Sequence, residues 1–186
     1  MDKIYISGTG RCGTTFLIKL FTFLKFNTGY TKESYTRSII KNCNAGMEKR
    51  YNDNYHVLKN PDFINKIETI VSDKSIHIEA FIIPIRDYDA SAKSRIKHGN
   101  QAGGLWNASD KKTQIEFYHS VMAKYIRHMV KHEIKTIFLD FDTMVKDKRY
   151  LFDKLNPILC KKDIEYVSFC HAYDEASSTS TPELKG

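Results

Sequence analysis

Two rhythms of apolar and polar residues run along this chain, and the places where one gives way to the other mark its elements. "KIYIS" (Lys3 to Ser7) is short, β-branched and aromatic and stops at Gly8, which predicts a strand. "TTFLIKLFTFLKF", from Thr14, is apolar on almost every side and predicts a buried helix. Residues 27 to 54 are polar and lose periodicity, so they read as loop and short helix. "YHVLK" (Tyr55 to Lys59) predicts a second strand, and Pro61 opens a helix over "PDFINKIETIV" as a first-position proline does.

"HIEAFIIPIRD" is the strongest strand signal, with Pro84 pointing to an edge or a terminus. "DYDASAKSRIKH" follows as a helix. Ser109 or Asp110 then caps a long helix in which Ile115, Tyr118, Met122, Tyr125 and Met129 recur at spacings of three and four. "KTIFLDFD" (Lys135 to Asp142) predicts the last strand, followed by helices near 147 to 155 and 161 to 169. The end, about 174 to 186, reads as a flexible tail. No repeat or linker interrupts the alternation. It predicts one α/β domain over 1 to 186, a three-layer α/β/α arrangement with a mainly parallel sheet.

Composition narrows the partners. Lys and Arg total 29 against 22 Asp and Glu, a net charge of +7, so the surface favours anions. The charge is scattered without a basic run, which makes nucleic acid the minor reading. Cys12, Cys43, Cys160 and Cys170 form no C-x-x-C pair, which argues against a zinc ribbon or a disulfide scaffold. With no signal peptide and no apolar run of membrane-spanning length, a cytoplasmic, reducing location is expected.

The chemistry starts at "SGTGRCGTTFL", residues 7 to 17. Against the phosphate-loop pattern G-x-x-x-x-G-K-[ST], Gly8 and Gly13 take the glycine positions and Thr15 the hydroxyl, but Thr14 stands where Lys belongs. A glycine loop between strand and helix offers backbone N–H groups and the positive end of the helix dipole to an anion. Without Lys the case for a nucleoside triphosphate weakens. Arg11, inside the loop, is positioned to supply the charge.

"GTGRCGTTF" resembles the 5′-phosphosulfate loop of sulfotransferases that use 3′-phosphoadenosine 5′-phosphosulfate (PAPS): a basic residue, a small residue, then Gly-Thr-Thr. The resemblance implies a P-loop fold in which Arg11 is the catalytic cation and Gly10, Cys12, Gly13, Thr14 and Thr15 hold the 5′ phosphate. Phe16 falls where an aromatic stacks on adenine. Arg replaces the family's usual Lys; a guanidinium keeps the charge but hands over no proton, so its part is electrostatic. The family's second signature is an Arg ending a strand with a Ser eight residues on, both gripping the 3′ phosphate. "IIPIRDYDASAKSR" supplies Arg86 and Ser94, with Ser91 a neighbouring alternative. "VLKNPDF" resembles the family's Lys-x-Pro segment, which makes Lys59 either a charge-neutralising group or a surface lysine. "IFLDFDTMVKD" resembles the strand end of many members. The Arg-Lys-Gly loop of the cytosolic class is missing.

Sulfuryl transfer to a hydroxyl, or an amine, needs a base facing the cation across the sulfur. Glu33, in "GYTKESYTR", lies where related enzymes place a glutamate; it also reads as a solvated partner of Lys32 or Arg37. His56 is the other candidate. No metal is required: "HMVKH" places His128 and His132 four apart but lacks the Glu of H-E-x-x-H. Cys12, at a helix start, is expected to have a lowered pKa. Trp106 belongs to a substrate lid or packs on the long helix. The acceptor, a small molecule, glycan or peptide, is expected between the polar segments 27 to 54 and 97 to 110. Two other readings remain, a small-molecule kinase with Asp140 on magnesium and a non-catalytic nucleotide- or RNA-binding module.

Overall fold

The computed structural model describes residues 2–40, 44–99 and 104–178. Cys43, part of the 97 to 110 segment and the end of the expected tail lie outside them. The main sheet has four strands, β1 (Asp2–Ile6), β4 (Val57–Lys59), β5 (His77–Ile85) and β6 (Thr136–Asp140), in the order β4-β1-β5-β6 with every pair parallel. A small antiparallel pair, β2 (Ile39–Ile40) and β3 (Ala45–Gly46), lies within the polar segment after the first helix. The helices are α1 (Thr14–Phe23), α2 (Ile67–Ser72), α3 (Tyr88–His98), α4 (Lys111–Lys131), α5 (Phe141–Met144), α6 (Lys148–Leu159) and α7 (Tyr166–Ser178).

Strand alternation sorts the core onto two faces. Ile4 and Ile6 of β1 join Ala80 and Ile82 of β5 in a cluster with α1, α6 and α7. Tyr5, Phe81 and Ile83, pointing the other way, pack with α2 and α4. Both faces of the sheet are therefore covered, an arrangement compatible with three layers. Asp110, not Ser109, caps α4 in a reciprocal capping box with Thr113, and Tyr118 and Tyr125 of its apolar stripe are fully buried.

Four sequence expectations are resolved or shifted. β5 is an interior strand rather than an edge, and Pro84 stands one residue from its end, as the other alternative had it; the β1 ladder ends at Ile82, before the proline is reached. Pro61 opens a 3-10 turn, Pro61–Ile64, whose amides Asn60 caps, and the α-helix begins only at Ile67. The last two helices lie further along than expected, because α6 runs through Pro157 and a left-handed Asp163 delays α7. Finally, residues 174–178 belong to α7, with Ala176 buried, so helix replaces the start of the expected tail.

The topology also places the site. From β1 the chain moves outward to β4 and then returns past β1 to β5, so the connections leaving β1 and β5 diverge to opposite faces. Ligands of open α/β sheets bind at such a switch point, outside the carboxyl ends of the strands.

Candidate functional site

The segment between β1 and α1 crosses that switch point. Gly10 (φ 77°), Arg11 (φ 57°) and Gly13 (φ 88°) all adopt left-handed backbone, which curls the loop. A Cβ at Gly10 would collide with the Arg95 guanidinium, and one at Gly13 would meet Met144 and the Phe141 ring, so both positions need glycine. Gly13 caps α1 without a side chain, leaving the leading amides of the helix for another acceptor.

A pocket of about 390 Å³ opens over this loop. Gly10, Arg11, Gly13, Thr14 and Thr15 form one wall, Arg86 and the α3 residues Lys93 to Arg95 and Lys97 another. Asn44, Ala45, Glu48, Lys59 and Pro61 close the third side. Among these lining residues six side chains are cationic and only Glu48 is a carboxylate, so the field favours an anion.

Arg86, one residue beyond β5, donates from Nη1 to the Arg11 carbonyl at 2.9 Å and lies 4.6 Å over the Phe141 ring. Arg11 in turn donates from Nε to Ser94 Oγ at 3.1 Å. The loop, the strand end and α3 are thus tied together by three of the residues the sequence singled out. Ser91, the alternative to Ser94, is fully buried and outside the pocket wall.

Lys59 is neither exposed nor idle. Its ammonium is buried at the carboxyl end of β4 and donates to Gly46 O at 2.9 Å and to Glu48 Oε1 at 2.6 Å. Burial pushes its pKa down, and the Glu48 charge opposes that shift. Glu48 itself is 43% exposed. Lys19, one helical turn beyond Thr15 on α1, is fully buried, donates to Asn44 Oδ1 at 3.0 Å and is pushed by burial to about 8.

The structure does not bring the two expected bases here. Glu33 is exposed outside the pocket, with the Thr31 hydroxyl and its own backbone holding its carboxyl below the ordinary value. The sequence could not see that the segment after α1 folds locally at Thr31–Ser34. His56 precedes β4, at the opposite end of the sheet from the pocket; it bonds Glu79 Oε2 at 2.8 Å and stacks on Phe26. Glu79 also accepts from Lys161 at 2.7 Å, so His56 belongs to a structural hydrogen-bond network.

Two more expectations change. Phe16 is among the residues lining the pocket, but its ring is buried edge-on against Tyr173, 5.3 Å between centroids. The Cys12 thiol is raised rather than lowered, because complete burial outweighs the helix start. Trp106 packs on Phe117 of α4, as the simpler reading had it. Asp140 caps α5 through the Thr143 amide at 2.8 Å. No group of three His, Cys, Asp or Glu among the described residues is placed to hold a metal, and no helix among them is long and apolar enough to cross a membrane. Glu48, Lys93, Arg95 and Lys97 were missed: Glu48 sits in a stretch without periodicity, and α3 gave no sign of which face turns to the loop.

Compared with protein-family models the chain matches none, and a search of curated proteins finds no match either.

Proposed function

We propose that the protein is a sulfotransferase, moving a sulfuryl group from PAPS to a hydroxyl, or less readily an amine, of an acceptor. One observation carries the reading: Arg86 and Ser94, the pair the sequence suggested for a 3′ phosphate, both connect to Arg11 of the glycine loop. Two anionic ends of one ligand can therefore be held on the two walls of the same pocket. In this scheme the amides around Gly13 take the 5′ phosphate, with Arg11 beside the bridging oxygen.

Glu48 replaces Glu33 and His56 as the proton acceptor, since it is the carboxylate among the residues lining the pocket. Lys59 holds one of its oxygens, leaving the other for an acceptor hydroxyl. As the acceptor oxygen bonds to sulfur, the sulfur–oxygen bond to phosphate breaks. The proton goes to Glu48 and the leaving charge stays on the phosphate beside Arg11.

The test is ligand stabilisation. 3′-Phosphoadenosine 5′-phosphate at a hundred times its Kd should raise stability by about 2.7 kcal/mol, adenosine diphosphate by much less. Equal stabilisation by the two would overturn the reading. The kinase alternative gains less support, because Asp140 is not among the residues lining the pocket and its Oδ1 caps α5.

A further inference from the structure

Arg95 is 8% exposed, so a full positive charge lies within the pocket wall. Its partners are carbonyls and a ring rather than a carboxylate. Nη1 donates to Gly104 O at 2.8 Å, Nη2 makes a long 3.4 Å bond to Thr9 O, and the guanidinium carbon lies 5.3 Å from the centre of Trp106. Burying a charge on such terms is costly, and Nε, which is buried with no partner, adds to the cost.

The Nε side of this guanidinium is the informative one. Nε and Nη2 form the edge with which arginine grips two oxygens of a phosphate or sulfate group. That edge lies against Gly10: Nη2, Cζ and Nε are the atoms a Cβ there would meet first. Gly10 is itself part of the pocket wall. To use the edge on a ligand, the guanidinium must turn toward the pocket, and turning breaks its contacts with Gly104 and Trp106.

Further polar groups adjoin Arg95 outside the pocket lining. Thr9 Oγ1 and Ser91 Oγ are buried without a partner, and Tyr118 OH lies within hydrogen-bonding reach of the Arg95 guanidinium. Thr9 already touches Arg95 through its carbonyl, and Ser91 stands one helical turn before it on α3. The Arg95 charge also opposes the burial that raises the Tyr118 pKa. Two orphaned hydroxyls beside a guanidinium whose own Nε is unpartnered describe a group with more than one resting place.

We propose that Arg95 is an anion-binding residue shared between the pocket and the segment 104–106, so that a phosphate-type ligand withdraws it from Gly104 and Trp106. The signal has a route onward. The backbone N–H of Trp106 donates to Gln114 Oε1 at 2.5 Å, and Gln114 Nε2 donates back to the Trp106 carbonyl at 3.2 Å. Gln114 is fully buried near the start of α4, so release of Trp106 reaches that helix. This inference rests on the pocket holding a phosphorylated ligand, whichever nucleotide that is.

The chain has a single tryptophan, so its emission reports this segment alone. The full-length protein is titrated with 3′-phosphoadenosine 5′-phosphate, adenosine diphosphate and inorganic phosphate, with calorimetry in parallel. A saturable emission change is expected at the calorimetric midpoint. Arg95→Lys should lose that change and at least about tenfold in affinity, the scale of one charged hydrogen bond. Arg86→Ala should weaken binding yet keep the emission change at saturation. Trp106→Phe removes a competitor for the guanidinium and should tighten binding by about two- to fivefold; it serves if the Arg95 variant does not fold.

Calorimetric binding with flat wild-type emission would overturn the proposal, as would an Arg95→Lys variant that binds and responds like wild type. If adenosine diphosphate gives the full response as tightly as the doubly phosphorylated nucleotide, Arg95 keeps its role and the sulfuryl-donor reading falls. If none of the three binds, both fall together.

Discussion

Arg86 donates from Nη1 to the backbone carbonyl of Arg11 at 2.9 Å, joining the end of β5 to the middle of the glycine loop. The bond spans the switch point of the sheet, where a ligand would lie, and leaves the remaining guanidinium donors of Arg86 for it. Stacking on Phe141 fixes the plane of the group. Arg86→Ala therefore removes a ligand contact and loosens the loop at once. Affinity for 3′-phosphoadenosine 5′-phosphate should fall by about ten- to a hundredfold. Arg86→Lys, which keeps charge but not the fork, should recover only part of it. Calorimetry decides; unchanged affinity in Arg86→Ala would remove this residue from the site.

Gly13 offers a test of the loop that needs no ligand. Its φ of 88° is strained for any residue with a Cβ, and the added atom would run into Met144 and Phe141. Met144 is fully buried and Phe141 nearly so, so neither yields freely. Gly13→Ala should cost roughly 1–3 kcal/mol from backbone strain with overpacking. Urea denaturation measures it, and a loss under a few tenths would mean the loop has another conformation close in energy.

These loop residues were legible because their signals are local. A strand ending in glycine, left-handed positions filled by glycine, and an arginine with a serine eight residues on can all be read along the chain. The layered arrangement was legible from the alternation of strand and helix segments, and the core is accordingly divided between the two faces of the sheet. Glu33 and His56 failed because their roles depended on where distant elements meet. His56 sits only three residues from Lys59, but a strand carries those residues about 10 Å apart, to opposite ends of the sheet. Glu48 could not be found by pattern, since a buried lysine on a neighbouring strand, not its own sequence context, holds it in place. Cys12 went wrong through competition: the helix start lowers a thiol pKa, but full burial raises it more.

Lys19 makes stability depend on pH in a defined window. Burial lowers its pKa to about 8, whereas the unfolded value is about 10.4. Below pH 8 both states carry the proton. Between the two values only the unfolded state does, so proton loss on folding makes stability rise with pH there. The full difference amounts to up to roughly 3 kcal/mol. Lys19→Met lacks the group, so the stability of wild type relative to this variant should climb between pH 7.5 and 10 in urea denaturation. A difference that stays flat would mean that Lys19 keeps an ordinary pKa.

Glu48 and Glu33 are separated by their surroundings, and turnover should separate them in the same way. Glu48 is on the pocket wall with one oxygen held at 2.6 Å by the Lys59 ammonium. Glu33 is exposed and outside the pocket. Loss of a general base costs about a hundredfold or more in rate. Glu48→Gln should therefore slow release of 3′-phosphoadenosine 5′-phosphate from PAPS, with water or an added hydroxyl compound as acceptor, by at least that factor. Its affinity for the desulfated nucleotide should stay within about threefold, since an amide leaves the wall's shape intact; losing a nearby negative charge would, if anything, tighten it. Glu33→Gln and His56→Ala should turn over as wild type does. His56→Ala should still unfold more easily, because it leaves Glu79 with Lys161 alone. Normal turnover in Glu48→Gln, or its loss in Glu33→Gln, would reverse the assignment and require the segment after α1 to close over the pocket when the donor binds.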